Sequence, residues 1–217
     1  RLARPIAECT LAALALPLNR RVLAHPRVAY ASPQFSPDGR YLAYTSDESG
    51  WRSLWVTPLA ADDLRQGATR LDTDEGEIGG PDWVPGEIKL RWAEDGRAIY
   101  AIRRRQSTAA LLRVSWPEAQ VAPIETGCTW LTSLAAGGGL LTFVGGRPSQ
   151  PDAVMTLDPS TGTAVARATD GVGLVDPEAV IEPEVISWPT AGGAVSWGLF
   201  YRAREAGPRP LIVSVHG

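Results

Sequence analysis

The sequence predicts a mainly β fold: about three blades of a β-propeller, an open arc of a larger ring, with a strand series of another kind behind them. Three observations lead there. The 217 residues include 22 glycines and 18 prolines spread between short apolar runs, the pattern of a chain with many turns. An aromatic residue, an Asp-Gly turn and an apolar run occur in that order twice, and a weaker copy follows. Each copy has room for about four short strands, and repeats of roughly 40 to 57 residues built from strands and turns are the signature of propeller blades.

Residues 1–27 are left unassigned, at most part of an incomplete blade. Their apolar stretch from Ile6 to Leu18 is interrupted by Glu8 and Thr10. It is shorter than the about 20 apolar residues that span a bilayer, so a buried strand or short helix is expected there.

The blades are expected within 28–176. In the first, Phe35-Ser36-Pro37-Asp38-Gly39-Arg40-Tyr41-Leu42-Ala43-Tyr44 predicts a hairpin. Proline presets φ, aspartate bonds its own backbone and glycine takes positive φ. Ser46 to Gly50 is a second turn, and Ser53 to Leu59 a further strand. The second blade repeats this with Trp92-Ala93-Glu94-Asp95-Gly96-Arg97-Ala98-Ile99-Tyr100-Ala101, a polar hairpin at Arg103 to Thr108 and the strand Leu111 to Val114. Asp38 and Asp95 are about 57 residues apart. In the third blade Gly137-Gly138-Gly139 replaces the Asp-Gly turn, between Leu131 and the strand Leu140 to Val144; a turn, the strand Val154 to Leu157 and the closing turn Asp158 to Gly162 complete it. One blade cannot bury both faces of its sheet, so blades must stack.

After Asp176 the composition changes. Pro177 to Pro183 is a connection, Glu184 to Thr190 a strand, Ala191 to Gly193 a hairpin turn, and Val195 to Tyr201 the partner strand. A proline-containing loop leads to Leu211-Ile212-Val213-Ser214-Val215, read as a strand buried on both faces of a mainly parallel sheet.

Composition excludes several functions. The net charge is −3, with 44% hydrophobic and 21% charged residues, so no nucleic-acid surface is expected. The one dense basic run, Arg103-Arg104-Arg105, reads as a solvated strand end or hairpin flank. Two histidines, His25 and His216, and two distant cysteines, Cys9 and Cys128, match no metal spacing. Thiols without a disulfide framework fit a reducing compartment, so a cytoplasmic protein without a membrane partner is expected. The tryptophans at 51, 55, 83, 92, 116 and 130 are expected in the core between blades.

The Ser-Pro-Asp-Gly-Arg-aromatic-Leu-Ala-Tyr signature resembles the WD40-like repeats of TolB and of prolyl-oligopeptidase-family propellers. Glu77-Ile78-Gly79-Gly80-Pro81-Asp82-Trp83-Val84 resembles a segment of acylaminoacyl-peptidase-like members of that family. The series 183–217, ending in Pro210-Leu211-Ile212-Val213-Ser214-Val215-His216-Gly217, resembles the start of the family's α/β-hydrolase peptidase domain. The resemblance implies a serine-type peptidase for short peptides, its active site gated by the propeller and its linker and first hydrolase strands in 177–217.

The same resemblance places His216 and Gly217 at the start of the loop that lends a backbone N–H to the oxyanion hole. It makes Glu75 and Glu77 candidates for holding a substrate's free amine, against the plainer reading of a solvated acidic loop. No catalytic residue is expected within these 217 residues. The nearest approach to a G-x-S-x-G elbow, Ala194 to Gly198, puts Ser196 inside a hairpin strand, whereas an elbow needs a sharp strand-to-helix turn. Serine-triad acyl transfer needs no cofactor and no metal. Short peptides are the expected partners, with a homo-oligomer as an option. The alternative is a TolB-like propeller that binds proteins without catalysis, and a remnant lacking its nucleophile is a third. The open blade edges and the apolar run at 211–215 predict poor solubility of the isolated chain.

Overall fold

The computed structural model describes residues 10–11, 20–21, 23–61, 63–72, 74–80, 88–169, 171, 176–205 and 207–215. The expected Ile6–Leu18 element apart from Thr10 and Leu11, together with Cys9, Trp83, His216 and Gly217, lies outside the described residues. Within them, β1 (Thr10–Leu11) pairs antiparallel with β2 (Arg20–Arg21).

Three antiparallel sheets follow in chain order. The first is β3 (Tyr30–Phe35), β4 (Tyr41–Ser49), β5 (Trp51–Pro58) and β6 (Thr69–Arg70), paired in that order. The second contains β7 (Glu77–Ile78) and β8 (Leu90–Trp92), both on β9 (Ala98–Arg105), then β10 (Thr108–Ser115) and β11 (Val121–Ile124). The third is β12 (Trp130–Gly137), β13 (Leu140–Arg147), β14 (Gln150–Asp158) and β15 (Thr163–Thr169). Each is a propeller blade, as the repeats predict, and no α-helix occurs among the described residues.

The two Asp-Gly turns form by the expected chemistry. Asp38 Oδ1 accepts from the Arg40 N–H at 3.0 Å, and Asp95 Oδ1 from the Arg97 N–H at 2.9 Å. Gly39 and Gly96 take φ of 68° and 69°.

The first strand of every blade is interrupted at one place. In β3 the register shifts between Ala31 and Gln34, in β12 between Thr132 and Ala135, with Ser32 and Ser133 at positive φ. The second blade has a whole segment there. Ile78 pairs with Arg103 and Leu90 with Ala101, so the pairing along β9 breaks after Ile78 and resumes at Leu90 where the other blades carry a two-residue bulge. The segment thus leaves and rejoins the sheet one β9 residue apart, at Ile102, whose N–H donates to the Lys89 carbonyl at 2.8 Å.

The core lies between blades. Along β9 successive side chains face opposite seams: Ile99 and Ala101 pack with Ala43, Leu54 and Val56 of the first blade, Tyr100 and Ile102 with Leu131, Leu141 and Phe143 of the third. This explains the unbroken apolar run Ala98–Ile102, which is buried on both faces. The first blade's other face, Leu42 and Tyr44, packs on Leu23, Val28 and Tyr30. The third blade's other face leaves Leu140, Val154 and Val165 exposed.

Trp92 and Trp116 pack edge-to-face in the first seam, rings 6.1 Å apart, as expected of inter-blade core. Trp55 is partly buried against the Tyr30–Tyr44 cluster. Trp51 and Trp130 differ from the expectation, being 54% and 43% exposed, because they stand at strand starts beside the rim.

A separate hairpin, β16 (Glu184–Pro189) on β17 (Val195–Phe200), follows the blades and matches the expected strands. Leu211–Val215 does not form the predicted strand: it has no regular structure and is exposed throughout. An apolar run becomes a strand only when a neighbouring strand satisfies its backbone, and it has none among the described residues.

Candidate functional site: the crossover rim of the second blade

The sequence places candidate substrate contacts at Glu75 and Glu77, and both lie where the chain crosses from the first blade to the second. Gly76 makes the crossover possible. Its φ is 137°, and a Cβ there would stand 2.9 Å from the Arg104 carbonyl oxygen, so only glycine fits. β7 then runs along the end of β9, setting Glu77 opposite Arg104 and Ile78 opposite Arg103.

This register builds a charge-balanced rim. Arg103 Nη1 lies 3.1 Å from Asp72 Oδ1 and 2.9 Å from Asp74 Oδ2. Asp72 is buried and Arg103 nearly so, whereas Asp74 is exposed. Arg105 and Glu75 are both exposed and face each other at 3.9 Å, a loose pair. Arg52 reaches over from β5 to donate to the Gly80 carbonyl at 2.9 Å. The Arg104 guanidinium sits 4.5 Å from the Trp130 ring centre, in cation–π contact with the third blade.

The basic run therefore divides by register. Arg105 is the solvated hairpin flank that was expected, but Arg103 is an interior ion-pair partner. Sequence reasoning missed the Asp72–Arg103 pair. The aspartate precedes the arginine by some thirty residues, and only the crossover brings them together.

Chemically, the rim offers one loosely held carboxylate, Glu75, and a half-buried one, Glu77. Among the described residues it holds no serine, threonine or cysteine. Ser196 lies within β17 opposite Trp188, so the reading of Ala194–Gly198 as an ordinary hairpin strand stands. Among the described residues no group of three or more His, Cys, Asp or Glu could hold a metal. Cys128 is a free thiol. No helix among the described residues is long and apolar enough to cross a membrane.

No protein-family model matches the chain, and no curated relative does. Solved structures do. A puromycin-hydrolysing peptidase of Mycobacterium tuberculosis superposes with a TM-score of 0.72 at 20% identity, over 82% of this chain and 26% of that one. A puromycin hydrolase gives 0.69 at 26% identity, over 81% and 26%. TolB of Acinetobacter baumannii gives 0.50 at 17% identity, over 77% and 40%. Prolyl oligopeptidases, among them one of Galerina marginata, match over 82% of this chain.

The fold is thus that of the propellers shared by TolB and these peptidases. More particularly, the likeness runs to the propellers of puromycin-hydrolysing and prolyl peptidases, and the chain spans about a quarter of the length of the peptidases that it matches.

Proposed function

We propose that this chain is the propeller side of a serine-type peptidase that cleaves short peptides, with nucleophile, acid and base carried outside these 217 residues. The observation that carries the reading is the β16–β17 hairpin. It follows the last blade and is apolar on both faces: Val185, Trp197 and Leu199 on one, Ile186 and Trp188 on the other, all exposed. A hairpin with two apolar faces is built to lie between two layers, as the first strands of a catalytic α/β domain do. A propeller that only binds proteins has no use for one. The likeness to puromycin hydrolases at 26% identity supports the same reading.

In this reading residues 177–217 are linker and first hydrolase strands, and His216 and Gly217 begin the oxyanion loop. The blades restrict access to short peptides, and Glu75 and Glu77 meet the substrate's amine at the crossover rim. The enzyme works in the cytoplasm without a cofactor, as a monomer or homo-oligomer.

The test is to express the gene's full product and treat it with a fluorophosphonate serine probe, then with peptides of graded length and with puromycin. Labelling with cleavage of short peptides is expected. Absence of labelling, together with capture of protein partners by the propeller, would establish the second reading: a TolB-like binding module without catalysis, for which the TolB match speaks.

A further inference from the structure

The seam between the second and third blades is fastened on its Asp-Gly-turn side by one side chain. Glu94, in the turn between β8 and β9, extends its carboxylate to the turn between β12 and β13. Oε1 accepts from the Gly138 N–H at 2.8 Å and Oε2 from the Gly139 N–H at 3.1 Å. Gly138 and Gly139 take φ of 61° and 74°, the two-residue turn in which both central residues are left-handed. Two successive amides aimed at one point make a nest for an anion. The structure gives each of these amides one acceptor, a Glu94 oxygen.

The latch has a place of its own in the blade repeat. The position equivalent to Glu94 in the first blade is Pro37, whose ring lies against Gly96 of the next turn. Both seams thus have turn-to-turn contact, and the second is closed by a charged side chain. Glu94, Gly137 and Gly139 also line a cleft of about 250 Å³ that continues inward past Tyr100, Arg113 and Leu141.

We propose that Glu94 is a carboxylate latch: it fills an anion nest at Gly138–Gly139, closes the rim of this cleft, and leaves behind a site for a small carboxylate when it is removed. The exposed position of the three residues makes the latch accessible to solvent anions. The oxygens of formate or acetate match the two N–H donors that the Glu94 carboxylate now engages.

Amide hydrogen exchange resolved at Gly138 and Gly139 tests this. In the unaltered chain both amides are expected to be protected. In Glu94→Ala both exchange about tenfold faster or more, the loss of a hydrogen bond to a charged group, and added formate restores protection. Glu94→Gln, whose carbonyl oxygen is uncharged, is expected to protect both amides less than the carboxylate does. The Leu134 and Ala109 N–H groups, which bond inside the sheet and seam, report whether the variants keep their fold. Unprotected Gly138 and Gly139 in the unaltered chain, or rates unchanged in Glu94→Ala with Leu134 and Ala109 intact, would overturn the latch. Exposed amides in Glu94→Ala that formate does not protect would overturn the nest.

Discussion

One nitrogen of Arg103 holds two carboxylates, Asp72 Oδ1 at 3.1 Å and Asp74 Oδ2 at 2.9 Å, and so ties the crossover between the first two blades to the end of β9. The Asp72 carboxylate is buried, so removing its partner leaves an uncompensated interior charge. Arg103→Met should cost about 3 kcal/mol of stability. The double variant Asp72→Ala/Arg103→Met should be less destabilised than the sum of the two single changes, because it buries no lone charge. Urea unfolding of the four proteins measures this, and strict additivity would contradict the pairing.

Trp92 joins the first two blades by a polar bond as well as by packing. Its Nε1–H donates to the Gln34 carbonyl at 3.1 Å, and its ring meets Trp116 edge-to-face. Trp92→Phe keeps an aromatic ring and loses the donor, for an expected loss of about 1–2 kcal/mol. Trp92→Ala opens a cavity in the seam and should cost about 3–5 kcal/mol. Equal effects of the two changes in thermal melting would show that the indole bond is the whole contribution.

Alkaline pH should loosen the first blade. Burial raises the Tyr44 hydroxyl well above its ordinary value of 10.0, and burial likewise raises Tyr30 and Tyr100. Above pH 10 the unfolded chain loses these protons while the folded chain keeps them. The unfolded state then binds fewer protons, and stability falls as pH rises. The contribution is fully present below the unfolded value and disappears through the folded one. Tyr44→Phe should flatten the loss of stability between pH 9.5 and 11 relative to the unaltered chain; an unchanged slope in denaturant titrations would remove Tyr44 as a cause.

The isolated chain should self-associate through its uncovered apolar segments. Ile212 and Val215 are 92% and 82% exposed, and the β16–β17 hairpin shows apolar side chains on both faces. Such surfaces with free strand edges template aggregation. Size-exclusion chromatography should show large species, and Ile212→Lys/Val215→Lys should shift material toward monomer with an unchanged melting temperature. A clean, stable monomer without these changes would speak against a missing covering layer.

Much of the blade architecture was legible along the chain, element by element. Asp38-Gly39 and Asp95-Gly96 turn as their chemistry dictates, since Asx bonding and positive φ are satisfied within a few residues. The hairpin 184–200 was equally readable, with alternating strands on either side of a glycine turn. The candidate rim was only half readable. Glu75 and Glu77 could be marked, but the pairing that surrounds them could not, because Arg103 arrives from a strand set by long-range register. Leu211–Val215 shows the limit from the other side. Its apolar run suits a strand, yet no strand among the described residues bonds its backbone.

By itself, then, the sequence determined what local chemistry determines: the Asp-Gly turns, the blade repeat and the absence of a G-x-S-x-G pattern from these 217 residues. The tertiary structure alone decided which side chains meet across blades. Stacking two-faced sheets brings together residues from adjacent repeats, so Arg103 finds Asp72, Trp92 finds Gln34 and Glu94 finds Gly138 and Gly139. It also set the break in pairing between Ile78 and Leu90 at the bulge position of the second blade, a point fixed by the register of β9. Local propensity acts over a few residues, whereas these relationships depend on sheet register and stacking, which form only when the blades pack.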